Sequence, residues 1–247
     1  MIIDFSYDKK NIDYVSGYIF KGKSYRCSYV RYKSLYRNCA PGTEDVELYF
    51  FQPKKEIRAS TLILHGLGSR NIKFLLWLGP HLANAGVSTT VLILPGNYTR
   101  VENNSVSGRS YLYPDMNVLY QVWEHGVVDT LSTIDLLEQS GFWKENNILV
   151  GYCLGGMIST IVGAIDKRIN HFLFMTTGGH MPHILHQSPA AVFVRRMFEK
   201  GFKADFHLAN RDMLYDIYKE QFPMVRKMSL DHIVSSEEIH PLFKVDP

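Results

Sequence analysis

A single cysteine holds most of the chemistry available to this sequence. Cys153 lies within Gly151-Tyr152-Cys153-Leu154-Gly155-Gly156, where a short apolar strand pattern ends and a helical pattern begins. Glycines on both sides permit a tight strand-to-helix turn, which forces the central residue into a strained backbone geometry and excludes neighbouring side chains. Beside a helix N-terminus, free N–H groups and a partial positive charge favour first a thiolate and later an oxyanion. An ordinary thiol, with a pKa of ~8.5, is already a few per cent ionised near neutrality. Attack on a carbonyl carbon can therefore begin without a base, whereas releasing the captured group needs an activated water.

Further residues with chemical potential surround this turn in the sequence. His65-Gly66-Leu67-Gly68 directly follows the strand pattern Thr61 to Leu64, and its small residues let backbone N–H groups approach a ligand. Leu94-Pro95-Gly96-Asn97-Tyr98-Thr99-Arg100 closes the next strand and reads as a solvent loop, although its tyrosine and arginine are placed to line a pocket. His180, His183 and His186 follow the last strand pattern at its functional end, and His180 is the weak in-chain candidate for a base. Their spacing comes with no glutamate and no second cluster, so no metal site is expected. His207, His232 and His240 read as surface residues of later helices, and Asp129 and Asp135 as capping or salt-bridging residues.

These residues need a scaffold, and the patterning supplies one. Short, apolar, partly β-branched segments run over Val46 to Phe51, Thr61 to Leu64, Thr89 to Leu94, Ile148 to Tyr152 and His171 to Met175. Helical periodicity covers Phe74 to Ala85, Trp123 to Gln139 and Met157 to Ile165. This alternation predicts an α/β fold with a mostly parallel central sheet flanked by helices, its function at the carboxyl ends of the strands. Beyond Met175 the patterns are helical only, over Ala190 to Lys200, Ala209 to Gln221 and Ser229 to Ser236. Apolar residues there, Val192, Phe193, Val194, Met197, Phe198, Phe202 and Phe206, suit packing against the sheet and equally an apolar ligand. At the other end, Tyr25, Tyr29, Tyr32 and Tyr36 recur at spacings of four, three and four, which predicts one face of a helix. The expected organisation is a helical N-terminal extension over residues 1–44, a core over 45–177 and a helical lid region over 178–247.

Composition narrows the function classes. With 46% hydrophobic and 21% charged residues, the 247-residue chain has material for one large core. A net charge of +3 gives no electrostatic case for nucleic acid, even with basic residues among the N-terminal tyrosines. No signal-peptide pattern opens the chain, and no apolar run approaches the ~20 residues that span a bilayer. Three cysteines without metal-ligand spacing, one of them in a reactive setting, predict a reducing compartment, the cytoplasm.

Taken together, the elbow at Cys153 and the His65-Gly66 turn resemble the α/β-hydrolase superfamily over about Asp45 to the end of the chain. The Gly-Tyr-Cys-Leu-Gly-Gly form is most similar to the elbow of dienelactone hydrolases, and bacterial polyhydroxyalkanoate synthases also place cysteine there. The resemblance implies Cys153 as nucleophile, the backbone N–H groups of Leu154 and Leu67 as an oxyanion hole, and His65 as a residue that shapes its turn. It implies no cofactor, and Gly66, Tyr152 and Tyr98 are the expected substrate-binding residues. The superfamily then requires an acid after a later strand and a histidine after the last one. Here only His171 to Met175 follows the elbow as a strand, and the ending at Pro247 resembles the exit from a lid. The resemblance thus implies that the acid and the histidine lie outside this sequence, apart from His180, and that the sheet keeps an open edge suited to self-association or a partner chain.

Three functions compete on these residues. The first is hydrolysis of an ester, thioester or lactone with an apolar acyl group, through Cys153. A second is acyl transfer to an alcohol, as in an acyltransferase or polyester synthase. The third is a non-catalytic binding protein of the same fold, lacking a complete triad.

Overall fold

Runs such as Ser88-Thr89-Thr90-Val91-Leu92-Ile93 are β-branched or apolar at nearly every position, as suits a strand covered on both faces. The computed structural model describes residues 2–68, 72–200 and 205–247; Phe202 lies outside them. Seven strands form one sheet: β1 (Tyr14–Lys21), β2 (Tyr25–Lys33), β3 (Asp45–Pro53), β4 (Ala59–Leu64), β5 (Val87–Ile93), β6 (Asn147–Tyr152) and β7 (His171–Met175). Their order is β1-β2-β3-β5-β4-β6-β7. β1 to β3 pair antiparallel and join β5 antiparallel, while β5, β4, β6 and β7 run parallel.

Alternation along β4 divides the core. Leu62 and Leu64 belong to a large cluster with α2 (Met116–Gln139) and α3 (Leu154–Ile165), whereas Ile63 joins Phe51, Val91 and Val150 in a smaller cluster with Leu75 and Ala83 of α1 (Lys73–Asn84). Helices thus cover both faces. After β7 the chain is helical, through α4 (Met181–His186), α5 (Val192–Lys200), α6 (Arg211–Val225) and α7 (Leu230–Ser235). α2 begins at Met116, a full two turns before the periodicity at Trp123, because the Asp115 carboxylate caps it by accepting from the Asn117 and Val118 N–H groups.

The helical reading of residues 1–44 is corrected. Tyr25, Tyr29 and Tyr32 lie on β2, which pairs with β1 and β3 in the main sheet. Period-two burial decided the matter: Ser28, Val30 and Tyr32 are buried while Arg31 and Lys33 are exposed. Tyrosine and valine also favour strands. The Tyr32 hydroxyl then reaches Ser132 Oγ and Thr133 Oγ1 on α2, at 3.0 and 2.9 Å.

Candidate active site

Strand order locates the crevice. From β4 the chain passes to β5 on one side, then returns through α2 to β6 on the other, so the loops after β4 and β6 diverge and leave a cleft between them. The β4 loop carries His65, Gly66 and Leu67, and the β6 loop carries Cys153. Cys153 is exposed, immediately precedes α3, and has φ 53° and ψ −115°. Such a conformation costs roughly 1–3 kcal/mol in a non-glycine residue and persists only where its surroundings over-determine it. They do so here. Cys153 N–H donates to Met175 O at 2.9 Å, Thr177 Oγ1 donates to Cys153 O at 2.8 Å, and Gly155 N–H donates to His65 O at 3.0 Å.

Two glycines make the turn sterically possible. A Cβ at Gly151 would lie 2.4 Å from the Gly156 Cα, and one at Gly155 would lie 2.4 Å from the Leu64 carbonyl oxygen. Gly155→Ala is therefore expected to destabilise the protein by about 1–3 kcal/mol through backbone displacement. Urea melts monitored by circular dichroism would measure that loss, and an unchanged midpoint would refute the close approach of the two loops.

His65 is a bracket between loops. Its Nδ1 donates to Gly66 O at 2.7 Å, and its Nε2 accepts from Leu94 N–H at 2.9 Å, a pairing that only the neutral ring can make. Burial lowers its pKa to about 4, against the opposing hydrogen bond to Gly66. The ring is thereby committed to positioning the β4 turn. Next to it, Gly68 N–H donates to the side-chain oxygen of the buried Asn97 at 2.9 Å. The amides flanking Leu154 and the one following Leu67 are therefore occupied. Leu154 N–H opens α3 and has no partner one turn earlier in the helix.

A cavity of about 430 Å³ opens over Cys153. Leu67 and Leu154 line it, together with Leu119 and Trp123 of α2, Thr176 and Thr177 after β7, Leu185 of α4, and Val194 and Phe198 of α5. Tyr111 and Leu112, from a single 3-10 turn at Ser110–Leu112, add to one wall, and Leu242 and Val245 close another. Among the described residues, no histidine, carboxylate, lysine or arginine lines it. Sequence reasoning missed the walls from residues 110–123 and 242–245. Asp115 as a helix cap ahead of an apolar run was the available signal for the first; the second depends on tertiary packing alone.

Several expected site residues lie elsewhere. A Cβ on Gly66 would meet the Tyr152 ring at 3.0 Å and the Cys153 Cβ at 3.1 Å, so Gly66 lies against the elbow itself without lining the cavity. Tyr98 stacks edge-on against His65, with ring centroids 4.7 Å apart. None of the three lines the cavity. His180 does not line the cavity either, although its neighbours Gly178 and Met181 do. Its ring packs 4.5 Å from that of His183 and 5.3 Å from that of Tyr218, and its Nδ1 accepts from His183 N–H to cap α4. The half-buried Asp246 carboxylate accepts from the N–H groups of His180 and Met181 at 2.6 and 2.7 Å, tying residue 246 to the start of α4. Burial raises the Asp246 pKa in spite of those hydrogen bonds.

The solvent-loop reading of residues 94–100 is also corrected, since Arg100 is 1% exposed. Its guanidinium donates to Ile93 O at 2.7 Å, Thr43 O at 2.8 Å and Asp129 Oδ2 at 2.6 Å. His125 Nε2 lies 3.2 Å from the same carboxylate oxygen. Burial alone would raise the Asp129 pKa, but His125 and Arg100 charges and hydrogen bonds from His125 and Ser34 hold it down, to about 2. This buried network anchors the segment that runs on to the Tyr111 wall of the cavity.

No protein-family model matches the sequence, and no curated protein matches it. Solved structures do. An acetyl xylan esterase from Paenibacillus sp. R4 is similar with a TM-score of 0.56 and 15% identity, over 83% of this chain and 68% of that one. Acetyl xylan esterase 1 from Thermoanaerobacterium sp. JW/SL YS485 gives 0.55 and 13%, over 96% of this chain and 66% of that one. At these identities the likeness is one of fold, and the chain spans about two thirds of the length of those proteins. The mostly parallel sheet, its flanking helices and these neighbours together establish an α/β-hydrolase-like fold.

Proposed function

We propose that this chain is an acyl hydrolase that takes the acyl group of an ester, thioester or lactone onto Cys153. The observation that carries the reading is the strained, exposed cysteine at φ 53°, which lines a cavity together with Leu67 and Leu154. Strain of this kind is retained where it serves a site. The names of the fold neighbours, both esterases, agree with it.

In the first step Cys153 Sγ attacks the carbonyl carbon, and the Leu67 and Leu154 N–H groups receive the developing oxyanion. The carbon–oxygen or carbon–sulfur bond then breaks, and the leaving group takes up the proton lost by the thiol. Water adds to the thioester in the second step; the acid departs and the proton returns to sulfur. Since no base lines the cavity among the described residues, the second step is the slower one. The outer edge of β7 is where an added strand would bring a base close, because β7 already meets the elbow through the Cys153–Met175 hydrogen bond.

Mixing the protein with a 4-nitrophenyl ester is expected to release a burst of nitrophenolate approaching one equivalent per chain, followed by slower turnover. Intact-mass and peptide spectra should place the acyl group on Cys153. An adduct confined to another residue, or none, would overturn the assignment.

A further inference from the structure

The cavity over Cys153 also carries information about the acyl group. Its walls come from separate elements and are consistently apolar, with Leu119, Trp123, Met157, Leu185, Val194 and Phe198 contributing side chains from α2, α3, α4 and α5. Among the described residues no formal charge faces it, so an acyl group bearing a second carboxylate would be desolvated without a counter-charge. A sugar ring would fare little better. The lining hydroxyls are those of Thr176, Thr177, Ser188 and Tyr111; Thr177 already donates to Cys153 O, and the Tyr111 hydroxyl is buried with almost no exposed surface. A polyhydroxylated ligand would leave its own donors unpaired there.

Space sets the scale. At about 30 Å³ for each water-sized group, a volume of 430 Å³ admits on the order of a dozen non-hydrogen atoms. We infer that the site is built for an uncharged medium-chain acyl group, seated with its carbonyl at Cys153 and its hydrocarbon tail between α2, α4 and α5. This inference rests on Cys153 being the acyl acceptor, and its test separates the two.

The first arm is a series of 4-nitrophenyl esters from acetate to decanoate. Burying each methylene should raise the acylation rate constant per unit substrate about fourfold until the cavity is full, on the order of a hundredfold or more over the series. Ala191→Phe, which narrows the cavity, should lower the ratio of octanoyl to acetyl rates. The second arm needs no chemistry: in Cys153→Ala, a bromoalkanol such as 8-bromo-octanol should quench tryptophan fluorescence saturably, and Trp123→Phe should remove most of that quenching. Circular dichroism checks that each variant is folded. Turnover with a flat series, or a preference for acetate, would overturn the chain-length inference and leave the hydrolase reading standing. Saturable quenching with no acylation by any ester would overturn the hydrolase reading and, with it, the seating of a carbonyl at Cys153, leaving only a cavity that binds an apolar chain. Absence of both the rising series and the quenching would overturn the acyl-chain site outright.

Discussion

Cys153→Ala is expected to lower ester turnover by on the order of a thousandfold or more, since it removes the proposed acyl acceptor. Cys153→Ser is expected to fall almost as far. A thiol is partly ionised near neutrality on its own, but a hydroxyl needs an adjacent base, and no histidine or carboxylate lines the cavity among the described residues. A serine variant retaining a tenth of the activity would therefore reveal a base within reach of the elbow. Iodoacetamide gives a parallel readout. Cys27 is buried and its thiol is pushed up to about 12 by desolvation, while Cys39 donates to Tyr36 O at 3.2 Å; Cys153 alone of the three is exposed. Labelling should thus fall first on Cys153 and persist when Cys27 and Cys39 are both replaced by alanine. Cys153→Gly separates function from folding. Glycine tolerates φ 53°, so this inactive variant should be more stable by about 1 kcal/mol in urea melts.

How far the sequence discloses this arrangement depends on how local each signal is. Gly151, Gly155 and the apolar run before Cys153 announce the elbow because the constraint is steric and confined to a few neighbouring residues. The five parallel and antiparallel core strands from Val46 to Met175 are legible for the same reason, with β-branched runs bounded by turns. Tyr25, Tyr29 and Tyr32 mislead because spacings of three and four residues suit a helix while strand alternation also accommodates them; pairing with β1 and β3 decides between the two. Arg100 misleads more deeply. A loop arginine between glycine and polar residues is ordinarily solvated, and only the fold brings Asp129 to it from α2. The cavity walls at Tyr111, Leu112, Leu242 and Val245 are of this second kind, since nothing nearby in sequence distinguishes a residue that faces Cys153 from one that faces the core.

Asp129→Asn should be the most damaging substitution away from the cavity. Removing one partner of a buried pair leaves the other charge uncompensated, which costs about 3–5 kcal/mol, a large part of the total stability of a domain. Arg100 and Asp129 are 1% and 0% exposed, and Arg100 also holds Ile93 O and Thr43 O, so loss of the carboxylate releases the loop as well as the charge. The exposed pair Lys33–Asp45, at a similar 2.8 Å, is the control, and Lys33→Ala should cost less than about 1 kcal/mol. The pH dependence has a definite sign. The Asp129 pKa is depressed from 3.8 to about 2, so its contribution is present above the unfolded value and lost as pH falls through the folded one. The His125 pKa is raised above 6.5: burial would lower it, but Asp129 outweighs that effect. Its contribution is therefore complete below 6.5 and lost as pH rises through the folded value. The stability difference between wild type and Asp129→Asn should accordingly be greatest between about pH 4 and 6.5 and shrink toward pH 2. Urea melts across that range would measure it. A difference that grew toward pH 2 would mean that the carboxylate is not held ionised by Arg100 and His125. Because the same network anchors the segment leading to Tyr111 and Leu112, the variant should also lose preference for long acyl chains before it loses the elbow. The stability of a salt bridge remote from Cys153 would then be read out at the cavity itself.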